Sequence, residues 1–285
     1  MIVIPGTWIP EGPAPVLNGQ EEHVAPNDEV SGPVQAIVTD PSNPNVIYVG
    51  SVNGGIWRTA DGTDPEPSWL PLTDNQFSLS IGALKFDPTD PALQTLVAGI
   101  ADYSNFGQIG GPLFGLLQTS DGGTTWRVVN GGGTLTGQEI SGVAERGSNI
   151  VVSVDRGTPF NCGDIGIYRS TDGGATFTLV SGASGSGLPN GLAHDLAEDP
   201  GNLSVLFTNV LFAPFCSNNT ASNGVFKSED FGATWSLVEA PAMNSLFVDG
   251  QTVNSKIAVG NSGNVFVGVE NDGDLAGLFR SSDDG

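Results

Sequence analysis

Residues 115–126 read GLLQTSDGGTTW, an apolar pair leading into a hydroxyl residue, an aspartate, two glycines, two threonines and a tryptophan. An aspartate side chain accepts backbone N–H groups within its own turn, glycine supplies a positive φ, and a β-branched threonine restores extended geometry. The closing aromatic then buries ~150–250 Å² against a neighbouring sheet. The stretch therefore reads as a tight turn between two strands, with Asp121 and Trp126 as structural residues.

Outward from this stretch, the same string returns as GGIWRTAD, IGIYRSTD, NGVFKSED and AGLFRSSD, so that Asp61, Asp121, Asp172, Asp230 and Asp283 recur every 51 to 60 residues. Phe177 and Trp235 stand where Trp126 does; the first copy has DPEPS inserted before Trp69, and the fifth stops at Gly285. Upstream of each box lie two apolar segments joined by a turn, clearest in VQAIVTD-PSNPN-VIYVGS and IGALKFD-PTDPA-LQTLVAG, with Asp-Pro turns at Asp40, Asp87 and Asp199. Each repeat is thus expected to hold four short strands: A (Val34 to Thr39 in the first), B (Val46 to Ser51), C (Gly55 to Thr59) and D (from Trp69, Trp126, Phe177 or Trp235). Four-stranded antiparallel units repeated about an axis predict an all-β fold, a β-propeller of about five blades in a single domain over 1–285. Residues 1–30 form an N-terminal segment with a D-type strand over 7–13. Thr7 and Trp8 either complete the last blade of a closed five-bladed ring, or the chain is a piece of a larger propeller cut at Gly285. The second arrangement is preferred, since natural termini seldom fall inside a tight turn.

Composition agrees. With 41 Gly and 19 Pro in 285 residues, the longest run free of both is the twelve residues from Asn202 to Ala213. That excludes a helical bundle, whose helices average ~11–12 residues each. A net charge of −22 with nine Lys and Arg excludes nucleic acid as a partner, because such binding needs cationic contacts to phosphate. No apolar run approaches the ~18 residues of a membrane span, and residues 1–10 lack the cationic start of a secretion signal.

The recurring string resembles the Asp-box, or BNR repeat, of sialidases, sortilins and two-propeller xyloglucan-degrading hydrolases. The resemblance runs from Thr7 to Gly285 and is greatest to large bacterial repeat proteins described as sialidase-like or glycosyl-hydrolase-like. It implies that the boxes lie on the propeller rim, away from the ligand face, and that their aspartates are structural. Function is then expected on the opposite face, built from B–C and D–A connections, where the B–C loops lengthen from 52–55 in the first blade to 100–112, 155–164 and 211–223. Those loops and the neighbouring D–A connection supply the candidates Asp102, Tyr103, Phe106, Asp155, Arg156, Phe160, Asp164, His194, Asp195, Phe212 and Phe215. Aromatics beside carboxylates suit stacking on sugar rings and hydrogen bonds to hydroxyls; the plainer alternative is that the phenylalanines pin loops to blades.

A sialidase site needs three converging arginines and a tyrosine nucleophile. Arg58, Arg169 and Arg280 share one repeat position on strand C and read as scaffold, and Tyr48 and Tyr168 lie inside strands. The xyloglucan hydrolases carry a catalytic aspartate in a Thr-Asp-x-Gly-Gly segment after the first B strand; the matching stretch here is Ser51-Val52-Asn53-Gly54-Gly55. No catalytic residue is assigned. The expectation is an extracellular or periplasmic module that binds a glycan or a protein partner without cleaving it. A glycoside hydrolase with part of its site outside this chain is the alternative, and an assembly scaffold a further one. No cofactor and no metal is expected; Glu270 to Asp274 offers oxygen ligands for Ca²⁺ but lacks a calcium loop's spacing. Cys162 and Cys216 precede the C strands of adjacent blades, and are either a disulfide, which would imply an oxidising compartment, or two buried thiols.

Overall fold

A computed structural model of the chain describes residues 33–103, 110–157, 164–211, 223–238, 240–247, 253–261, 263–283 and 285. Its first sheet comprises β1 (Val34–Asp40), β2 (Asn43–Ser51), β3 (Gly55–Thr59) and β4 (Leu70–Pro71). The second comprises β5 (Ile81–Phe86), β6 (Leu96–Ile100), β7 (Leu116–Thr119) and β8 (Arg127–Val129), and the third β9 (Gln138–Arg146), β10 (Asn149–Gly157), β11 (Gly166–Ser170) and β12 (Thr178–Leu179). The fourth is β13 (Leu196–Glu198), β14 (Leu206–Val210), β15 (Gly224–Ser228) and β16 (Ser236–Leu237); the fifth is β17 (Val253–Val259), β18 (Val265–Asn271) and β19 (Asp274–Ser281). Neighbouring strands are antiparallel throughout. The molecule is a five-bladed all-β propeller, and among the described residues it has a single helical turn at Pro241–Asn244 and a short 3-10 turn. The β-propeller expected from the repeats is the fold observed. The D-type strand expected over 7–13 lies outside the described residues.

Burial follows position in the array. β6 (LVAGI) and β14 (LFTNV) are buried at every residue, because a blade in the middle is covered on both faces. β18 alternates, with Val265, Val267 and Val269 buried and Phe266 39% exposed, and in β1 Ile37 is 63% exposed. Inner strands pack in chain order, β1 on β5, β5 on β9, β9 on β13 and β13 on β17; no comparable packing joins β1 to β17 among the described residues.

Each of the first three seams between successive blades holds a box aromatic. Trp126 joins Tyr48, Ile56 and Leu96 between the first and second blades. Phe177 lies with Val129, Ile150 and Tyr168 between the second and third, and Trp235 with Val151, Ile167 and Phe226 between the third and fourth. The D strands begin one residue after the aromatic rather than on it, because the aromatic itself turns into the seam.

Antiparallel pairing gathers the starts of the A and C strands and the ends of the B strands at one end of the blades. The A–B turns and the boxes gather at the other.

Candidate functional site

At the box end, every aspartate of a complete box is used up locally. Asp121 Oδ1 accepts hydrogen bonds from Thr119 Oγ1 (2.7 Å) and Thr125 N (2.8 Å), and its Oδ2 from Thr125 Oγ1 (2.6 Å). Asp172 repeats this with Ser170 and Thr176, and Asp230 with Ser228 and Thr234. Asp61 accepts from Thr59 Oγ1 and from Ser68 N across its insertion. These donors hold the Asp121 and Asp172 carboxyls down at about 2, led by Thr125 in the first and Thr176 in the second. The aspartates bond within their own turns.

At the opposite end, three blades deliver side chains to one point. Asp155 stands near the end of β10, Tyr103 in the loop after β6, and His194 just before β13. Tyr103 donates its hydroxyl to Asp155 Oδ2 at 3.2 Å, and His194 Nδ1 lies 3.0 Å from the same oxygen. Burial, followed by the Asp155 charge, lifts the Tyr103 phenol well above its usual 10, so it stays a donor. Asp155 Oδ1 is buried without a hydrogen-bond partner among the described residues.

Next to it, Arg156 of β10 forms an ion pair with Glu139 of β9 through Nη2, donates from Nε to the same carboxylate (2.8 Å), and donates from Nη2 to the Asp102 carbonyl at 3.2 Å. Burial raises the Glu139 carboxyl to about 7 against the opposing pull of Arg156. Three of the groups remain partly open, from the 11% exposure of the Asp155 side chain to the 43% of Arg156, while Glu139 is buried. Sequence reading missed Glu139; its signal was available in the pairing register, which sets Glu139 directly opposite Arg156.

Of the other candidates, Asp195 turns away to the fifth blade, where Oδ2 accepts from Ile257 N at 2.7 Å and Lys256 Nζ is 4.0 Å from Oδ1. Asp164 presents its carbonyl to the Tyr168 hydroxyl at 3.0 Å. Phe106, Phe160, Phe212, Phe215, Cys162 and Cys216 lie outside the described residues. Glu270 accepts from Gly273 N in the β18–β19 turn, and no group of three or more His, Cys, Asp or Glu is placed to hold a metal among the described residues. Arg58, Arg169 and Arg280 bond to Tyr48, the Phe231 carbonyl and Asn264, far apart in sequence and each within its own seam or blade.

No family model matches the chain. Among curated proteins it is 30% identical over 235 residues to the xyloglucanase of Hypocrea jecorina (strain QM6a), covering 73% of this chain and 26% of that protein. It is 24% identical over 228 residues to a xyloglucanase of Paenibacillus sp (72% and 20%), and 27% identical over 228 residues to xyloglucanase Xgh74A of Acetivibrio thermocellus (73% and 26%). Its homologues are xyloglucanases. The chain spans about a quarter of their length. The GH74 xyloglucanase of Xanthomonas campestris shares the fold with a TM-score of 0.57 at 16% identity, over 87% of this chain and 36% of that one. An ancestral GH74 enzyme does so with 0.53 at 20% identity, over 87% and 32%. The curated relatives favour the glycoside-hydrolase alternative over the non-catalytic reading expected from the sequence.

Proposed function

We propose that the chain is part of a carbohydrate-active propeller that engages a β-glucan of the xyloglucan class across the end bearing Tyr103, Glu139, Asp155, Arg156 and His194. The observation that carries this is the convergence of three blades on Asp155, with one of its oxygens left unsatisfied among the described residues. An orphaned buried acceptor costs ~1–3 kcal/mol, and a sugar hydroxyl is a donor that removes the cost. Arg156 and His194 supply further polar contacts at the solvent side. An extracellular location goes with this reading.

Hydrolysis is the second reading, favoured by the xyloglucanase relatives and by the burial of Glu139, which raises its carboxyl to about 7 against the pull of Arg156. It would run differently from the route the family resemblance implies. Where that resemblance expects an aspartate, Val52 is buried, and the adjacent Asn53 ties the first blade to the second by accepting from Ser80 Oγ and Gly110 N, both at 3.1 Å.

Affinity electrophoresis in xyloglucan, mixed-linkage β-glucan and cellulose gels, with reducing-end release measured in parallel, tests both. Retardation by xyloglucan should fall at least tenfold in Asp155→Asn, a loss consistent with one charge-assisted hydrogen bond of ~1.5–3 kcal/mol. Reducing ends that disappear in Glu139→Gln would establish hydrolysis; mobility unchanged in every gel would sink the carbohydrate reading.

A further inference from the structure

The connection from β4 to β5 carries the most exposed large apolar side chain among the described residues. Phe77 is 79% exposed, against 39% for Phe266, the next aromatic. A lone apolar residue on a loose surface loop needs no explanation. The backbone around Phe77 is fixed, however. Thr73, Ser78 and Ser80 on either side of it are buried. Gln76 N donates to the Thr73 carbonyl at 2.9 Å, Ile56 N to Thr73 Oγ1 at 2.8 Å, and Leu79 N to the Gly110 carbonyl at 2.7 Å. A Cβ on Gly111 would lie 2.3 Å from the Phe77 carbonyl oxygen, so only glycine there lets the two segments close. The ring is thus held out in water by a locked main chain. Only its two side-chain torsions remain to be ordered when something covers it, which keeps the entropic cost of binding low.

The same segment leads to Asp155. Residues 77–82 run along the loop that bears Tyr103. Ser80 Oγ accepts from Gly110 N at 2.9 Å, and a Cβ on Gly82 would lie 3.4 Å from Cε2 of the Tyr103 ring. β4 is the outer edge of its blade and β5 an inner strand of the next, so Phe77 stands outward of Tyr103. Five residues from Phe77 to Gly82 bound that separation at about 18 Å. A polymer held at Asp155 crosses such a span with a few consecutive units. The chemistry of the segment suits a neutral sugar. Residues 72–80 contain no Lys, Arg or His, and the exposed Asp74 and Asn75 beside the ring offer hydrogen bonds to hydroxyls.

We propose that Phe77 is a stacking platform for a second, outlying sugar ring of the β-glucan that engages Asp155. This rests on the carbohydrate reading above and adds a direction to it: the glucan runs outward from Asp155, over the loop bearing Tyr103, to Phe77. The flat C–H face of a pyranose covers the phenyl ring, and its equatorial hydroxyls face Asp74 and Asn75. Asp155 supplies polar selection and Phe77 supplies apolar area.

The test is affinity electrophoresis of the whole chain in xyloglucan gels, with thermal melts in parallel. Phe77→Ala should weaken retardation about tenfold. Phe77→Leu, apolar but without a flat face, should lose nearly as much, whereas Phe77→Trp should bind at least as well as the wild type. Leu275→Ala, which removes a 71% exposed leucine on the fifth blade, should change nothing. All four variants should melt within about 2 °C of the wild type, as substitutions at exposed positions do. Wild-type retardation that Phe77→Ala leaves unchanged, or that Phe77→Leu retains in full, overturns the platform while the carbohydrate reading stands. A wild type that no glucan retards removes both.

Discussion

Asp172 and Asp155 are two of twenty aspartates in the chain, and their neighbours give them opposite tasks. Asp172 has both oxygens satisfied by its own turn, from Ser170 and Thr176. Asp155 has one oxygen shared by Tyr103 and His194 and the other left without a donor among the described residues. Fully satisfied groups specify structure, and unsatisfied ones mark places where stability has been given up for another purpose. Asp172→Ala is therefore expected to lower the thermal midpoint while leaving β-glucan retardation unchanged. Asp155→Asn, which keeps an acceptor for Tyr103, should change stability by less than ~1 kcal/mol and weaken retardation at least tenfold. Paired thermal melts and affinity gels on the two variants separate these outcomes, and a variant pair that behaved alike would contradict the division of labour. Trp235, 5% exposed in its seam, belongs with Asp172: its replacement by alanine should cost ~3–5 kcal/mol in chemical denaturation.

Among the elements, the strands of the middle blades were legible because they are short, apolar and punctuated. The C strand expected over Gly55 to Thr59 is β3 without change, and the A and B strands expected in the first blade, Val34 to Thr39 and Val46 to Ser51, differ from β1 and β2 only at their turn ends. The D strands are two or three residues long, too short to carry any periodicity of their own, and only the box located them. The segments that join blades were harder to read, since their conformation depends on a neighbour distant in sequence. Gly187 shows this: its φ is +77°, and a Cβ there would lie 1.9 Å from the Trp235 carbonyl oxygen of the next blade. Nothing near Gly187 in sequence reveals that contact. Gly187→Ala should push the third and fourth blades apart and lower the urea midpoint by the equivalent of more than ~1 kcal/mol, whereas Gly185→Ala, with φ +81° but open space around it, should cost less.

For the whole molecule, two sets of carboxyls pull stability in opposite directions with pH. Asp121 and Asp172 titrate at about 2 in the fold against 3.8 free, so the stability they lend is complete above pH ~4 and lost as pH falls towards 2. Glu139 and Glu145 are raised to about 7 by burial, so the folded chain holds protons that the unfolded chain releases near 4.5. Stability therefore declines as pH rises from about 4.5 to 7 and levels off above. Self-repulsion at a net charge of −22 acts in the same direction. Thermal midpoints recorded from pH 2.5 to 8 should peak between about 4 and 5, and added salt should raise the midpoint at pH 8 more than at pH 5. A midpoint that climbed steadily from pH 5 to 7 would show that the buried glutamates do not govern the curve.

The amino-acid order alone determined the propeller and the tight turns that close its C strands, because each of those is a local pattern repeated along the chain and a tight turn is specified by the residues inside it; the end of the blades on which to look for a site came as an expectation from the family resemblance. It also put Tyr103, Asp155 and His194 on one end without saying that they touch. Their meeting at a single carboxylate oxygen and the pairing of Arg156 with Glu139 were decided only by tertiary structure, since each depends on how far one blade is rotated from the next, and that angle is set by the summed packing of seams whose residues lie some fifty positions apart.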